Sequence, residues 1–210
     1  MNEERARLFV ALRLPEHVRE TLVAWRPRAP GLRAVGEPPG LRSSSSTVDP
    51  PPGLRMVAPE SLHLTLCFLG WRAVREIEGI AAACRTLAAA GIVACSLGDP
   101  LWLPARGPRV LAVGIKDPER GLAGIQSTLS DVLRAGGWYR LEARSFRAHV
   151  TVARVPKGMR GPRAPLPARQ ALAFHARAIT LYRSRLGSSA ARYESLLSVE
   201  LGSGGDSRSG

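Results

Sequence analysis

The sequence predicts an α+β protein in which strands outnumber helices. Three segments carry apolar residues at helical spacing, and eight shorter segments are apolar or alternating runs typical of strands. Several of these strands follow one another with no helix between them. This arrangement favours mixed or antiparallel sheets over a regular strand–helix alternation.

The chain has 210 residues, of which 45% are hydrophobic, so it can bury a core of ordinary size. We predict one domain over residues 1–201 and a disordered tail over residues 202–210, which are rich in Gly and Ser. Residues 27–53 hold seven prolines, four glycines and a run of four serines. Because that composition buries little apolar surface, we expect a disordered insertion there.

The first half of the domain starts with a strand over residues 7–14 that ends at Pro15. Val18, Leu22 and Trp25 then share one face of a helix over residues 16–26. The further elements predicted before Gly98 are strands over 54–58, 62–69 and 92–97 and a helix over 73–90, with Gly91 as its stop.

The second half repeats the mixture of strands and a long helix. Leu122, Ile125 and Leu129 line one face of a helix over residues 118–135, which Gly136-Gly137 ends. We predict the remaining strands over residues 109–115, 149–155, 171–182 and 191–201.

Basic residues exceed acidic residues by 30 to 17, which gives a formal net charge of +13. Such a charge favours a polyanionic partner such as nucleic acid, although an arginine-rich coding bias would produce the same excess. Seven basic residues and one acid, Glu142, lie between Arg140 and Arg163. Arginine suits phosphate contacts because its guanidinium group binds two oxygens at once.

The cysteines and the terminal sequence indicate a cytoplasmic protein. Cys67, Cys84 and Cys95 are scattered, with no Cys-x-x-Cys pair, which predicts reduced and buried thiols. The first residues lack a secretory pattern, and no apolar run is long enough to cross a membrane. We also expect no cofactor and no metal, since no cluster of carboxylates is present to hold one.

One four-residue pattern occurs twice, as His63-Leu-Thr-Leu66 and, 86 positions later, as His149-Val-Thr-Val152. In a strand, positions two apart face the same side. Each His and Thr therefore face one side, while their apolar neighbours face the core. If the two strands are neighbours, four polar side chains converge on one surface.

Two histidines suit a reaction that needs one general acid and one general base, since imidazole titrates close to neutral pH. Threonine hydroxyls can donate hydrogen bonds to an anionic oxygen. Phosphodiester hydrolysis fits this set of groups. The other two histidines, His17 and His175, lack a Thr two places on, and we interpret them as structural.

The paired motifs resemble the twin H-x-T-x signature of the 2H phosphoesterase superfamily. The similarity extends to Arg7-Leu-Phe-Val-Ala-Leu12, to the block from Pro59 to Gly70, to the block from Phe146 to Arg154, and to Leu181-Tyr-Arg-Ser-Arg-Leu-Gly187 followed by Tyr193. It therefore covers most of residues 7–200. The nearest subfamily is that of the LigT-like RNA 2′,3′-cyclic phosphodiesterases, also called 2′-5′ RNA ligases.

The resemblance implies a bilobal α+β fold with two pseudo-symmetric lobes and an active-site cleft between them. It implies hydrolysis of a terminal 2′,3′-cyclic phosphate to a 2′-phosphomonoester, with RNA ends or cyclic nucleotides as partners and a monomeric protein. His63 would then be the acid that protonates the departing 3′ oxygen, and His149 the base that activates water. Thr65 and Thr151 would bind phosphate oxygens, and Arg154 would contact the phosphate or the terminal base.

Two of the predicted site residues depend on local geometry. Arg154 lies five positions after His149, so it reaches the cleft only if the strand bends or ends by Ala153. Phe9 could stack on a base, with core packing as the alternative. The chain departs from the family pattern at Ala148, where a proline is usual, and in the length of the 27–53 insertion.

Two alternatives to cyclic phosphodiester hydrolysis remain open from the sequence. The same acid–base pair could run 2′-5′ RNA ligation, or hydrolyse another cyclic or 2′-5′ linked nucleotide. The chain could also be a noncatalytic module that binds RNA ends.

Overall fold

The computed structural model describes residues 3–26, 54–142, 144–159, 166, 171–186 and 191–203. The predicted insertion over 27–53 and nearly all of the predicted tail lie outside these residues. The assignment of residues 1–201 to one domain stays a prediction. None of the described helices is long and apolar enough to cross a membrane.

Nine strands and three α-helices make up the described fold. The strands are β1 (Arg5–Arg13), β2 (Arg55–Met56), β3 (His63–Ala73), β4 (Val93–Leu103), β5 (Val110–Lys116), β6 (His149–Arg154), β7 (Ala173–Ala176), β8 (Ala178–Leu186) and β9 (Ala191–Glu200). The helices are α1 (Glu16–Trp25), α2 (Ile77–Arg85) and α3 (Gly121–Ala135). Short 3₁₀ turns flank α2, so the helix predicted over 73–90 is regular only in its middle.

All described strands join one curled antiparallel sheet with the order β7-β4-β5-β6-β3-β1-β8-β9, and β2 pairs with β6. The α+β fold class predicted from the sequence is confirmed. The order is symmetric about its centre, because β3-β1-β8-β9 extends to one side and β6-β5-β4-β7 extends to the other. Leu64 of β3 is paired with Val150 of β6 at this centre.

The strand predicted over residues 171–182 is wrong, because the structure has two strands there. β7 pairs with β4 at one edge of the sheet, whereas β8 pairs with β1 in the other half. Residues 174, 176 and 178 are buried while 175 and 177 are exposed, so the alternation continues through Arg177. The pattern of buried and exposed residues therefore does not indicate that the chain stops pairing with β4 and begins to pair with β1 at that residue.

The predicted helix faces are buried as expected. Val18, Leu22 and Trp25 of α1 and Leu122, Ile125, Leu129 and Leu133 of α3 belong to the same apolar cluster as Leu64 and Val150. The Asp117 side chain accepts hydrogen bonds from the backbone N–H groups of Gly121 and Leu122, at 3.0 and 2.7 Å, which starts α3. The face of β3 and β6 that points away from this core is free to form a site.

Candidate active site

The two His-x-Thr motifs lie on the two central strands of the sheet. Pairing of Leu64 with Val150 sets β3 and β6 side by side, with both apolar residues fully buried. The four polar residues are half-buried on the opposite face: His63, Thr65, His149 and Thr151. The structure therefore brings both motifs to one surface, as alternation along a strand requires.

Each histidine is oriented by the same hydrogen bond. His63 Nδ1 lies 2.7 Å from the carbonyl oxygen of Ser61, and His149 Nδ1 lies 2.7 Å from that of Arg147. A carbonyl oxygen can only accept, so Nδ1 carries the proton in both rings. Each Nε2 is then left to accept or donate a proton according to the charge of its ring.

The pKa of His63 is lowered from 6.5 to about 4, chiefly because burial disfavours the charged imidazolium. The hydrogen bond to Ser61 opposes this shift, and the positive charges of Arg154 and His149 add to it. In the free protein, His63 is therefore neutral at pH 7. A bound anion would raise this pKa, because it would offset the same positive charges.

A β-bulge in β6 turns Arg154 towards the cleft. Ala112 pairs with Thr151 and Leu111 pairs with Ala153, which leaves Val152 as the extra residue. Val152 and Ala153 are consequently both buried, and Arg154 is exposed on the side of Thr151. For Arg154 to reach the cleft, the sequence required the strand to bend or end by Ala153, and the bulge at Val152 supplies that bend.

The same bulge occurs at the same place in β3. Val10 pairs with Cys67 and Ala11 pairs with Thr65, so Leu66 is the extra residue. Phe68 therefore takes the position that Arg154 has in the other motif, and 43% of it is exposed. Arg7 packs against Phe68, with its guanidinium carbon 4.8 Å from the ring centroid.

Phe9 packs directly against His63 inside an aromatic cluster. Its ring centroid lies 4.9 Å from that of His63, 5.1 Å from Tyr182 and 5.0 Å from Tyr193. Only 3% of Phe9 is exposed, which leaves no open ring face for a base. Of the two roles that the sequence left open for Phe9, this burial agrees with core packing rather than with stacking on a base, and the ring packs against the imidazole of His63.

A cavity of about 370 Å³ opens beside His63 and Thr65, and we call it the His63 cavity. Three arginines line it, Arg7, Arg55 and Arg154, and none of its described lining residues is acidic. Arg55 and Arg154 are paired across β2 and β6. Like charges opposite each other are unfavourable in a sheet unless an anion lies between them, so the cavity suits a phosphate.

Of the residues predicted from the sequence, the structure places His63, Thr65, Phe9 and Arg154 at the His63 cavity. His149 lines an adjoining cavity that also contains Thr65. Within the described residues, Thr151 lines neither cavity, although it shares the face of His149. Sequence reasoning missed Arg7, Arg55, Phe68 and Tyr193. Aligning the two motifs would have found Phe68, since it stands where Arg154 stands in the second copy.

Among the described residues, no group of three or more His, Cys, Asp or Glu side chains is placed to hold a metal ion. The permanently charged cationic groups at the site are arginines. The arrangement can bind a phosphate and can move protons on either side of it.

No protein-family model matches the chain. The RNA 2′,3′-cyclic phosphodiesterase of Escherichia coli (strain K12) is 28% identical over 151 residues, which are 72% of this chain and 73% of that protein. A crystal structure of a phosphoesterase superposes with a TM-score of 0.73 at 26% identity, over 94% of this chain and 99% of the other. The structure of E. coli LigT complexed with 3′-AMP gives a TM-score of 0.71 at 26% identity, over the same shares of the two chains.

The fold, the paired motifs and these similarities define a phosphodiesterase. Within that class, the chain is similar to the 2H phosphoesterases, and the resemblance seen in the sequence is confirmed.

Proposed function

We propose that the protein hydrolyses the terminal 2′,3′-cyclic phosphodiester of RNA to a 2′-phosphomonoester, without a metal, through His63 and His149. The observation that carries the proposal is the matched orientation of the two imidazoles, each of which donates Nδ1–H to a backbone carbonyl and keeps Nε2 for proton transfer. The name of the E. coli relative supports this choice of substrate.

In the proposed reaction, Nε2 of neutral His149 takes a proton from water as the water oxygen forms a bond to phosphorus. The bond from phosphorus to the 3′ oxygen breaks, and protonated His63 gives its Nε2 proton to that oxygen. The products are a 2′-phosphomonoester and a free 3′-hydroxyl. Exchange of protons with solvent returns both rings to their starting charges.

The low pKa of His63 in the free protein agrees with this role once substrate is bound. The phosphate carries a negative charge and would lie beside Arg154, whose charge helps to lower that pKa. Binding therefore raises the pKa of His63 and favours its protonated form. A weakly basic imidazole is also a stronger acid, which helps proton donation to an alkoxide.

The phosphate oxygens would be bound by hydroxyl and guanidinium groups. Thr65 lies on the wall of the His63 cavity, and Arg55 and Arg154 stand opposite each other beside it. Thr151 would donate to the phosphate from the neighbouring strand. These donors stabilise the negative charge that grows on the phosphoryl oxygens in the transition state.

The terminal base would stack on Phe68 rather than on Phe9. Phe68 is well exposed at the rim of the cavity, and Arg7 holds its ring in place. Aromatic side chains commonly bind single-stranded RNA in this way. The cytoplasmic location and the monomeric state stay predictions.

The test is an assay of RNA ending in a 2′,3′-cyclic phosphate, with excess chelator and no added metal. The wild type should form a 2′-phosphate, and His63→Ala and His149→Ala should each lower turnover by about 10²–10⁴-fold. His17→Ala, which removes an exposed imidazole that does not line the His63 cavity, is the matched control and should keep full activity.

Three results would contradict the proposal. Activity that disappears with chelator would mean that a metal is needed. Faster reaction of 2′-5′ linked dinucleotides than of cyclic ends would favour the ligase or 2′-5′ hydrolase alternative. Tight RNA binding that falls steeply with salt, without any product, would favour a noncatalytic binding module.

A further inference from the structure

Trp71 is a large aromatic side chain that β3 presents to solvent. Within the described residues, four large hydrophobic side chains are well exposed: Phe68, Trp71, Ile92 and Leu141. A single exposed hydrophobic residue is ordinary on a protein surface. Trp71, which is 52% exposed, differs because it lies on the strand that begins with His63 and close to Phe68, which lines the His63 cavity.

A further β-bulge in β3 sets the direction of Trp71. The pairing with β1 leaves out Leu69, which lies between Phe68 and Gly70. Gly70 has a φ of 71°, in the left-handed region that glycine adopts without strain. In a regular strand, residues 68 and 71 would face opposite sides, because three positions separate them. The bulge adds one residue, and Trp71 therefore faces the same side as Phe68.

Arg7 of β1 lies between the two aromatic rings. It is paired with Trp71 across the sheet, and its guanidinium carbon lies 4.8 Å from the ring centroid of Phe68. Paired residues hold their side chains on one face, about 5 Å apart. Phe68 is paired with Phe9, two residues from Arg7, so Phe68 and Trp71 stand about 7 Å apart along the sheet. Two rings with an arginine between them thus extend outward from the His63 cavity.

The charges around Trp71 favour a phosphate. Arg5, two residues from Arg7, donates a hydrogen bond of 3.1 Å to the backbone carbonyl oxygen of Trp71. In the part of the chain that the structure describes, neither Arg5 nor Arg7 forms an ion pair. The carboxylates just before β1, those of Glu3 and Glu4, are each paired with another arginine. The charges of Arg5 and Arg7 are therefore available to an anion.

We propose that Trp71 stacks on the second base from the cyclic phosphate end of the RNA, and that the phosphodiester joining the two nucleotides lies at Arg7. This inference rests on the proposed function, in which the terminal base stacks on Phe68. The strand then leaves the His63 cavity over Arg7, and its next base meets the indole ring. Stacking of this kind tolerates any base, so Trp71 recognises the presence of a second nucleotide and not its identity.

The first measurement compares the hydrolysis of 2′,3′-cyclic AMP with that of the dinucleotide ApA ending in a 2′,3′-cyclic phosphate. For the wild type, we expect kcat/KM to be at least about fivefold higher for the dinucleotide, which is the gain from one stacked base. Trp71→Ala should remove most of this preference. It should change kcat/KM for cyclic AMP less than about twofold, because that substrate has no second base. Trp71→Phe keeps an aromatic ring and should keep most of the preference.

Ile92→Ala is the matched control, since it truncates a well-exposed hydrophobic side chain that does not line the His63 cavity. It should keep the wild-type preference. The free energy of unfolding of Trp71→Ala, from urea titration, should equal that of the wild type. The Trp71 ring is half exposed, and the hydrogen bond from Arg5 reaches the backbone of residue 71 rather than its side chain.

A second measurement removes the base instead of the ring. In a dinucleotide whose first residue is abasic, the linking phosphate is kept and only the stacking is lost. With this substrate, the wild type should fall to the kcat/KM that Trp71→Ala has with ApA, and Trp71→Ala should lose nothing more. Calorimetry with 2′-AMP and with ApA 2′-phosphate measures the same preference as a difference in binding, without turnover.

Three results would overturn the proposal. The first is a wild type that prefers the dinucleotide less than about twofold, both in kcat/KM and in binding. The second is a dinucleotide preference that Trp71→Ala keeps, or a loss from the abasic residue that adds to the loss from Trp71→Ala. The third is a wild-type oligomer in sedimentation that Trp71→Ala dissociates, which would assign the ring to a contact between copies. Failure of the proposed function is separate, since it appears as a lack of any hydrolysis of cyclic AMP.

Discussion

His63 and His149 are held by the same backbone hydrogen bond but lie in different surroundings. Rings from three other strands surround His63, with Phe9 and Tyr193 at centroid distances of 4.9 and 5.2 Å. This partial enclosure reduces contact of the ring with water and disfavours its charged form. Two copies of one motif therefore differ through what packs around them, and this difference supports the separate roles that we propose for the two rings.

The pKa of His63 can be measured directly by NMR titration of its ring protons. We expect a value of about 4 in the free protein, well below 6.5, and a rise when 2′-AMP is added, because the phosphate offsets nearby positive charge. Arg154→Gln should also raise this pKa, since the charge of Arg154 helps to lower it.

Arg177→Gln serves as the control for that titration and should leave the pKa of His63 unchanged. A value near 6.5 in the free wild-type protein would show that the aromatic cluster does not exclude water from the ring. The opposite response to 2′-AMP, a further fall, would place the phosphate away from His63.

The sequence could predict the two His-x-Thr pairs because alternation along a strand is a local property. The position of Arg154 at the site could be predicted only on the condition that the strand bends. That bend is a bulge at Val152, which arises from the pairing with β5 and is not a local property of the sequence. The sequence left two roles open for Phe9, because its burial comes from Tyr182 and Tyr193, which lie more than 170 residues away in sequence.

Among the elements, the sequence predicted the positions of the strands better than it predicted which strands pair with each other. The positions of β1, β3, β5 and β6 follow from short apolar runs, and the structure agrees with them. The division of residues 171–182 into two strands could not be predicted, because alternation does not record which neighbour a strand has.

Two glycines in helices have opposite surroundings, which gives a matched pair of variants. A methyl group added at Gly124 of α3 meets nothing within 4 Å, whereas one at Gly79 of α2 meets the ring of Trp138 at 2.7 Å. Gly124→Ala should raise the free energy of unfolding by about 0.5–1 kcal/mol, because alanine favours a helix. Gly79→Ala should lower it by about 1–3 kcal/mol, because Trp138 must move.

Urea unfolding of the two variants and the wild type measures both effects. Stabilisation by Gly79→Ala equal to that of Gly124→Ala would mean that Trp138 does not pack against α2. Removal of the ring in Trp138→Leu should reduce the penalty of Gly79→Ala, which checks that the clash is its cause.

The whole molecule should lose stability in acid partly through His63. A histidine whose pKa is lower in the folded state than in the unfolded state contributes stability that is complete above pH 6.5. This contribution is lost as the pH falls through about 4. The shift corresponds to at most ~3 kcal/mol, since one pKa unit is worth about 1.4 kcal/mol.

The check is the free energy of unfolding from urea titrations at pH 7 and pH 4, for the wild type and for His63→Gln. The variant should lose less stability between these pH values than the wild type, because glutamine does not titrate. An equal loss in both proteins would assign the acid sensitivity to other groups.

One half of the sheet combines strands from the beginning and the end of the chain, and this has a consequence for synthesis on the ribosome. β1 and β3 emerge early, but their half of the sheet also needs β8 and β9, which come from residues 178–200. Tyr182 and Tyr193 complete the surroundings of His63 from those late strands. The histidine that is translated first therefore reaches its final environment only when the carboxyl-terminal strands leave the exit tunnel, so we expect a shorter nascent chain to lack the low pKa of His63.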